Sequence, residues 1–247
     1  MMTTPGPPNG HLLLHGGGAI NDGFKSRFKD LAGGPNAKIV YIPTADSDDK
    51  IRGFKNGTIG SINKLGLTAT ILHTRSQQEA NSDPFVKPLQ EATGVFIDGG
   101  RQPRLADAYL NTKTHRELQF LLDRGGIIAG TSAGATIQGS FLVRGQGYPD
   151  YDNRIIIGDH LEGFEFIKNI AIDQHIQQFN RESQLAEVLK VYPYLLGIGI
   201  DEDTAIHIEG NTFAVFGAGS VFVHDGPPPH YLLSLGQEYD LQTRSVL

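Results

Sequence analysis

Short apolar runs recur along the first half of the chain, separated by stretches of mixed polar and apolar character. The runs occupy residues 11–15, 37–43, 69–73, 94–100 and 126–129. The stretches between them include 53–65 and 102–122, whose composition is compatible with helices. Short apolar strands that alternate with helices are typical of βαβ units. The pattern therefore predicts an α/β fold with a mainly parallel sheet.

Three glycine clusters follow these apolar runs, at residues 16–18, 99–100 and 130–134. In open α/β sheets, ligands bind beyond the carboxyl ends of the strands. We therefore expect the three clusters to meet at one crevice.

The second half of the chain has a different pattern. Residues 143–160 form a polar, loop-like stretch containing Tyr148, Asp150, Tyr151 and Asp152, which we interpret as a rim or lid. A helix is predicted over 180–190. Additional C-terminal β-strands are predicted at 195–201, 204–209, 212–216, 220–224 and 231–235, with glycine-containing turns between them.

No linker or internal repeat divides the chain. Residues 1–10 are rich in proline, glycine and threonine and predict a flexible leader. Residues 11–247 are expected to form a single α/β domain, since a chain of 247 residues suits one large core.

The turn at residues 130–134 has the sequence Gly-Thr-Ser-Ala-Gly, between a predicted strand and a predicted helix over 135–142. This is the G-x-S-x-G pattern, in which a serine occupies a sharp turn at strained backbone angles. Glycines at 130 and 134 avoid side-chain collisions across such a turn. The alternative is that Ser132 only caps a helix. The context favours Ser132 as a nucleophile at a helix N-terminus, where developing negative charge is stabilised.

A serine nucleophile needs a base and a group that orients the base. The chain has nine histidines, and His175 stands out because the polar residues Asp173 and Gln174 precede it at the end of an apolar stretch. From the residues alone, the favoured interpretation of Asp173 is the N-cap of a helix. Three acidic residues at 201–203 follow another apolar run. They form either a solvated turn or the group that orients the histidine.

Composition and charge narrow the function classes. The net charge of −6 is spread without a basic block, which argues against nucleic acid or a membrane as partner. The chain has no cysteine, so thiolate chemistry and disulfides are excluded. No apolar run has transmembrane length, and the N-terminus lacks the apolar core of a signal peptide. A cytoplasmic location is expected, with export left open because a leader could have been removed.

Four blocks, in this order, together resemble the cyanophycinase and peptidase E family of serine peptidases: Gly99-Gly100-Arg101-Gln102, Gly130-Thr131-Ser132-Ala133-Gly134, Asp173-Gln174-His175 and Gly199-Ile200-Asp201-Glu202-Asp203-Thr204-Ala205. The resemblance extends over residues 11–225, nearly the whole chain. It implies a flavodoxin-like fold akin to the class I glutamine amidotransferases, with serine in place of the amidotransferase cysteine. It implies no cofactor and no metal, and it leaves a homodimer open because the family includes dimers and monomers.

The resemblance also implies site residues. Ser132 corresponds to the nucleophile, His175 to the general base and acid, and Glu202 to the carboxylate that orients the histidine. The backbone N–H groups of Gly100 and Ala133 correspond to the oxyanion hole. The substrate-binding residues that the resemblance implies are Gln102, Asp173, Gln174 and Arg181.

The substrate is less well defined by the resemblance. Cyanophycinases cut an aspartate polymer that carries arginine on its β-carboxyls, and they release β-Asp-Arg dipeptides. Their motif after the histidine carries several arginines; here Arg181 matches, while Phe179 and Gln184 occupy positions where arginine is expected. Arg101 also departs from the asparagine of the family's Gly-Gly-Asn-Gln turn and adds a positive charge. Two missing guanidinium groups would weaken bidentate capture of carboxylates.

The leading hypothesis is a serine exopeptidase that cuts β-aspartyl bonds through an acyl-enzyme. One alternative is an aspartyl dipeptidase like peptidase E, acting on Asp-X dipeptides, and another is a non-catalytic binding protein on the same fold. A nucleotide-binding role for residues 15–19 is disfavoured, because G-x-G-x-x-G spacing is absent. Metal catalysis is disfavoured because no histidine pair has H-E-x-x-H spacing.

Overall fold

The computed structural model describes residues 5–53, 68–147, 152, 154–226 and 230–247. The strands in these ranges are β1 His11–His15, β2 Ile39–Ile42, β3 Ala69–Ile71, β4 Gly94–Ile97, β5 Ile127–Thr131, β6 Gly139–Phe141, β7 Ile167–Gln174, β8 Leu196–Ile200, β9 Thr204–Glu209, β10 Thr212–Gly217, β11 Val221–His224, β12 Tyr231–Leu233, β13 Glu238–Asp240 and β14 Ser245–Val246. The helices are α1 Asp22–Leu31, α2 Asp48–Gly53, α3 Gln77–Ala80, α4 Asp83–Glu91, α5 Gln102–Tyr109, α6 Lys113–Asp123, α7 Ala133–Thr136 and α8 Gln184–Val191.

The larger sheet has the strand order β14-β13-β10-β9-β1-β5-β4-β2-β3. Strands β1 to β5 are parallel to one another, and β9 joins β1 in antiparallel register, with His207 opposite Leu13. All the strands predicted in the first half of the chain lie in this sheet. The predicted α/β fold class, with a mainly parallel sheet and extra C-terminal strands, is confirmed.

Helices cover both faces of this sheet. On one face, Phe24 and Phe28 of α1 pack against Leu13 and Phe96. On the other face, the opposite side chains of the same strands pack against apolar residues of α4, α5 and α6. Because successive strand residues point to opposite faces, strands covered on both sides are apolar along their whole length.

A second sheet has the order β12-β11-β8-β7-β6, and the sequence pattern did not separate it from the first. One face of this sheet contributes Ile172 and Ile198 to the core shared with the first sheet. The other face packs under Leu185 and Val188 of α8. The two sheets are therefore joined by one continuous core.

Two helix predictions need correction. The predicted helix over 102–122 is two helices, because Asn111 adopts a positive φ of 62° and the Thr112 side chain caps α6 by accepting a hydrogen bond from the His115 N–H. The predicted helix over 135–142 ends at Thr136, and β6 begins at Gly139, paired with β7. The predicted helix over 180–190 corresponds to α8.

From the residues alone we expected Asp173 to cap a helix, and this prediction is wrong. Asp173 is the penultimate residue of β7 and is fully buried. Apolar residues that end in a short polar segment suit a strand end as well as a helix start, and only the partners of Asp173 decide between them.

Part of the predicted leader is packed against the domain. The Pro5 carbonyl accepts a hydrogen bond from the Lys168 N–H at 2.8 Å. Gly6 lies so close to the Gly210 carbonyl that a Cβ there would be 2.3 Å from its oxygen. Residues 5–10 therefore do not behave as a free tail in this structure.

Two other predictions fall outside the described residues. The expected helix over 53–65 lies there except for Gly53, which ends α2. Of the polar residues of the expected rim, Tyr148, Asp150 and Tyr151 also lie outside, whereas Asp152 is described and pairs with Arg154. Among the described residues, none of the helices is both long and apolar enough to cross a membrane.

Candidate active site

Ser132 lies in the turn between β5 and α7, with φ 52° and ψ −116°. Side chains at the flanking glycines would not fit: a Cβ on Gly130 would be 2.1 Å from the Gly134 carbonyl oxygen, and one on Gly134 would be 2.1 Å from that of Ile97. The Ser132 N–H donates to the His15 carbonyl at 2.9 Å. A positive φ in a non-glycine residue is costly and persists only where its surroundings impose it. Tight packing of the turn against β1 and β4 imposes it here.

His175 brings an imidazole to this serine. It directly follows β7, and its Nε2 lies 3.0 Å from Ser132 Oγ. Its Nδ1 lies 2.5 Å from Oε1 of Glu202, which follows β8. The three side chains thus form a continuous hydrogen-bonded chain. It lies beyond the carboxyl end of β5 in one sheet and of the parallel pair β7 and β8 in the other. The side chains come from both sheets, so the site depends on how the sheets are packed together.

A glycine shelf after β1 supports the His175 ring. The His175 N–H donates to the Gly16 carbonyl at 3.0 Å. Gly17 has φ +111°, and a Cβ there would lie 2.0 Å from His175 Cε1. The glycine run at 16–18, which we expected to border the same crevice as the other two glycine clusters, therefore leaves the space in which the imidazole fits.

The three consecutive acidic residues have different partners. Asp201 is buried and accepts from the N–H groups of Gln177 and Ser220, both at 3.0 Å. Burial raises the pKa of Asp201, against the opposing effect of these two hydrogen bonds. Asp203 accepts from the Ala19 N–H at 2.5 Å, and its own N–H donates to the Gly17 carbonyl. Of the three, Glu202 is the one that contacts the histidine. The segment is a turn with Asp203 exposed, but the buried Asp201 and the His175 contact of Glu202 give it more than a solvated surface.

The two expected oxyanion-hole residues flank the serine. Ala133 is the first residue of α7, and a first-turn N–H has no acceptor within its own helix. Gly100 lies in the turn after β4 with φ +144°, where a Cβ would be 2.2 Å from the Ala45 carbonyl oxygen. The preceding Gly99 is so near that a Cβ on it would lie 3.8 Å from Ser132 Oγ. Their assignment as oxyanion donors stays a prediction.

Asp173 and Arg181, which we had expected to bind substrate, lie in a buried ionic network instead. Arg144 donates to Asp173 from Nε at 2.9 Å and from Nη2 at 2.7 Å, and both side chains are at most 1% exposed. The same Nη2 donates to Gln184 Oε1 at 2.6 Å. Arg181 is 5% exposed and donates to the Gln174 carbonyl at 2.8 Å. This network fixes the end of β7 immediately before His175.

The other two expected substrate-binding side chains are also buried. Gln102 is 1% exposed and donates from Nε2 to the Val143 carbonyl at 3.0 Å. Gln174 is 5% exposed. By contrast, Phe179 is 53% exposed, and its ring centroid lies 5.5 Å from that of His175 and 4.7 Å from Cζ of Arg181. Of the residues discussed for substrate binding after the histidine, Phe179 is the one with a large exposed surface.

Sequence reasoning missed His15 and Arg144. His15 ends β1 and is 1% exposed; its carbonyl holds Ser132, and its Nδ1 accepts from the Gly17 N–H at 3.2 Å. Burial lowers the pKa of His15 to about 4, so the ring is neutral at pH 7. Arg144 stands in a polar stretch far along the chain from Asp173, and the sequence carries no signal of their pairing. A histidine at the start of a glycine run was the available signal for His15.

The chain is similar to peptidases of one family. The model of peptidase family S51 matches residues 12–216. The chain is 31% identical to a cyanophycinase of Geminocystis herdmanii over 83% of this chain and 75% of that protein, and 31% identical to a cyanophycinase of Nostoc sp. over 89% and 80%. It is 24% identical to peptidase E of Actinobacillus pleuropneumoniae over 77% and 80%.

Among solved structures, a peptidase from an acI-B1 actinobacterium superposes with a TM-score of 0.73 and 25% identity, covering 95% of this chain and 98% of that one. A putative peptidase E from Listeria monocytogenes superposes with a TM-score of 0.58 at 16% identity, covering 85% and 99%. The second likeness concerns the fold alone.

Proposed function

The chain belongs to peptidase family S51, and we propose that it is a serine exopeptidase of the cyanophycinase type, which hydrolyses β-aspartyl bonds through an acyl-enzyme on Ser132. The observation that carries the proposal is the chain of contacts from Ser132 Oγ to His175 Nε2 at 3.0 Å and from His175 Nδ1 to Glu202 Oε1 at 2.5 Å. This is the arrangement of nucleophile, base and orienting carboxylate that acyl transfer requires.

The mechanism follows from these positions. Ser132 Oγ attacks the scissile carbonyl carbon while His175 Nε2 takes the hydroxyl proton. Glu202 holds the proton on Nδ1 and stabilises the imidazolium that forms. The tetrahedral intermediate collapses as Nε2 gives its proton to the leaving amine, and an ester on Ser132 remains. Water, deprotonated by His175, then attacks the ester and releases the acid.

The negative oxygen of the tetrahedral intermediate needs hydrogen-bond donors. We assign the backbone N–H groups of Gly100 and Ala133 to this task, because both flank Ser132 and Ala133 begins a helix. Backbone donors are fixed before the reaction and need no rearrangement as charge develops, and one such donor is worth about a hundredfold or more in rate.

The β-aspartyl specificity is supported by the curated cyanophycinases, at 31% identity over most of the chain. Two residues depart from the cyanophycinase motif, which has arginine at both positions. Gln184 accepts a hydrogen bond from Arg144 through its amide oxygen, and Phe179 presents an aromatic surface. These two residues favour a second candidate, an aspartyl dipeptidase resembling the peptidase E relatives. The substrate in either case is a peptide with an aspartyl residue at the cleaved bond.

Product analysis separates the two candidates. The wild type and Ser132→Ala are incubated with insoluble cyanophycin and, separately, with α- and β-linked Asp-X dipeptides, and the products are identified by mass spectrometry. Release of β-Asp-Arg by the wild type alone supports the cyanophycinase activity. Intact polymer with cleaved α-linked dipeptides moves the assignment to a dipeptidase. Equal cleavage by Ser132→Ala would refute the serine mechanism, because alanine has no nucleophile.

A further inference from the structure

A second group of polar side chains lies at the opposite end of β1 from the glycine shelf. His11 starts this strand and His15 ends it, so the two ends are about 13 Å apart at the usual rise of a strand. His11, His207 and Glu209 place one donor atom each within 4.8 Å of one another. None of these side chains contributes to the chemistry proposed for Ser132.

Strand register brings the three side chains to one face. His11 is directly opposite Glu209 in the antiparallel pair β1–β9, and His207 is two residues before Glu209 on the same strand. Residues at i and i+2 of a strand point to the same face, and directly opposed residues share it. The backbone of two central strands therefore fixes the spacing of this cluster.

We propose that His11, His207 and Glu209 bind a divalent transition-metal ion such as Zn²⁺, through two imidazole nitrogens and one carboxylate oxygen. The site would have three protein ligands and an open fourth position. Imidazole and carboxylate are ordinary ligands of Zn²⁺, which favours four-coordinate tetrahedral geometry.

The spacing of the two imidazoles fits this geometry. His207 Nε2 lies 3.2 Å from His11 Nδ1. Two nitrogens bound tetrahedrally at about 2.0–2.1 Å from one Zn²⁺ are roughly 3.3–3.4 Å apart. This separation is that of two ligands of one ion, and a Glu209 carboxylate oxygen lies within 4.8 Å of both imidazoles.

Access also suits a metal ligand. His207 lines an open depression with Ser26, Arg27 and Asp30, which gives an ion a route to it. Arg27 opposes a cation here, and the Glu209 carboxylate offsets that charge.

The site bears on the proposed catalytic machinery only through the backbone. Strand β1 leads into the shelf under His175, and β9 follows directly after Glu202 and Asp203. A metal ion that joins β1 to β9 would stabilise the folded chain by mass action without touching the catalytic residues. Binding of the ion is therefore independent of whether Ser132 is a nucleophile.

Metal content is the test. The full chain, carrying no histidine tag, is stripped with EDTA and dialysed against Zn²⁺ at pH 7.5, and the bound zinc is measured by mass spectrometry of the metal. We expect one Zn²⁺ per wild-type chain and at least a tenfold weaker affinity in His207→Gln. His11→Gln serves as a second variant if His207→Gln does not fold, as judged by circular dichroism.

Two controls use other histidines. His224 and His230 form an imidazole pair with ring centroids 4.2 Å apart but belong to no three-ligand group among the described residues, so His230→Gln should bind zinc like the wild type. His175→Ala should also keep its zinc, which separates this site from the catalytic histidine. No bound zinc in the wild type, unchanged binding in folded His207→Gln and His11→Gln, or loss of zinc in either control would overturn the proposal.

Discussion

The turn that holds Ser132 and the segment that holds His175 both follow a buried strand, yet they present their polar residues in opposite ways. In the first, glycines at 130 and 134 allow a strained turn that leaves one hydroxyl available to the imidazole. In the second, Asp173 and its arginine partners are buried, and the following His175 is the side chain that reaches the serine. One region presents the proposed nucleophile by backbone shape, and the other holds the proposed base next to a buried ionic network. Variants of the proposed reactive side chains should therefore lower the rate, whereas variants of the buried ionic network should lower the stability of the fold.

The largest effect is expected from Glu202→Gln. The neutral amide cannot stabilise the imidazolium, and its NH₂ group can hold the imidazole in the wrong tautomer. We therefore expect kcat to fall about 10⁴-fold, as in other triads that lose the orienting charge. Asp203→Asn is the matched control, because Asp203 contacts the Ala19 N–H and not the histidine. It should lose less than tenfold. Steady-state kinetics on a cleaved dipeptide measure both, and equal losses would mean that Glu202 has no special role.

Asp173→Asn should act on stability. It removes the carboxylate charge that the buried Arg144 guanidinium binds, and breaking such a buried pair costs about 3–5 kcal/mol of unfolding free energy. The control is Asp152→Asn, whose partner Arg154 is 86% exposed, so its ion pair should contribute little to stability. Urea denaturation compares the two. A loss of under 1 kcal/mol in Asp173→Asn would contradict the supporting role of the network.

Gly17→Ala should displace His175, since the new Cβ would lie 2.0 Å from the ring. A misplacement of about 1 Å costs on the order of 10²-fold in rate, so we expect a loss of this size in kcat. Gly34→Ala is the control, because Gly34 also has a positive φ but no atom within 4 Å of the added Cβ. It also places an alanine at a positive φ, +60° against +111° at Gly17, but without the clash, and it should keep its activity. Equal rates in the two variants would exclude a steric role for Gly17.

The smallest effect concerns acid stability. Burial lowers the pKa of His15 from 6.5 to about 4, so between these pH values the unfolded chain binds the proton more readily than the folded chain. The free energy of unfolding is therefore highest above pH 6.5 and decreases as the pH falls towards 4. His207 and His224 shift in the same direction, also to about 4. The urea midpoint should therefore drop across this interval, and His15→Gln should make the drop shallower. An unchanged slope in a folded His15→Gln would show that this ring does not titrate as described.

The two regions also differ in how much of their structure the sequence predicts. The turn at 130–134 is local, so a five-residue pattern predicts both its shape and its serine. The parallel strands are equally easy to predict from the sequence, because burial on both faces makes each one an apolar run. The resemblance to a family named His175 and Glu202, and the structure places both in contact.

Long-range partners could not be predicted in this way. Arg144 and Asp173 are 29 residues apart, and nothing local in either segment indicates that the carboxylate is paired. This is why Asp173 and Arg181 were expected to face substrate. His11 and His207, 196 residues apart, meet only through the register of β1 and β9, which a search for closely spaced histidines cannot detect. The division into two sheets is likewise a matter of which strands pair, and hydrophobic periodicity does not report pairing.

The most direct test of the central claim is active-site labelling with a fluorophosphonate, followed by intact-protein and peptide mass spectrometry. We predict one adduct per chain, located on Ser132, with no labelling of Ser132→Ala and slow labelling of His175→Ala, since the imidazole activates the hydroxyl. A wild type that turns over substrate but stays unlabelled, or an adduct that persists in Ser132→Ala, would contradict the assignment of Ser132 as the nucleophile.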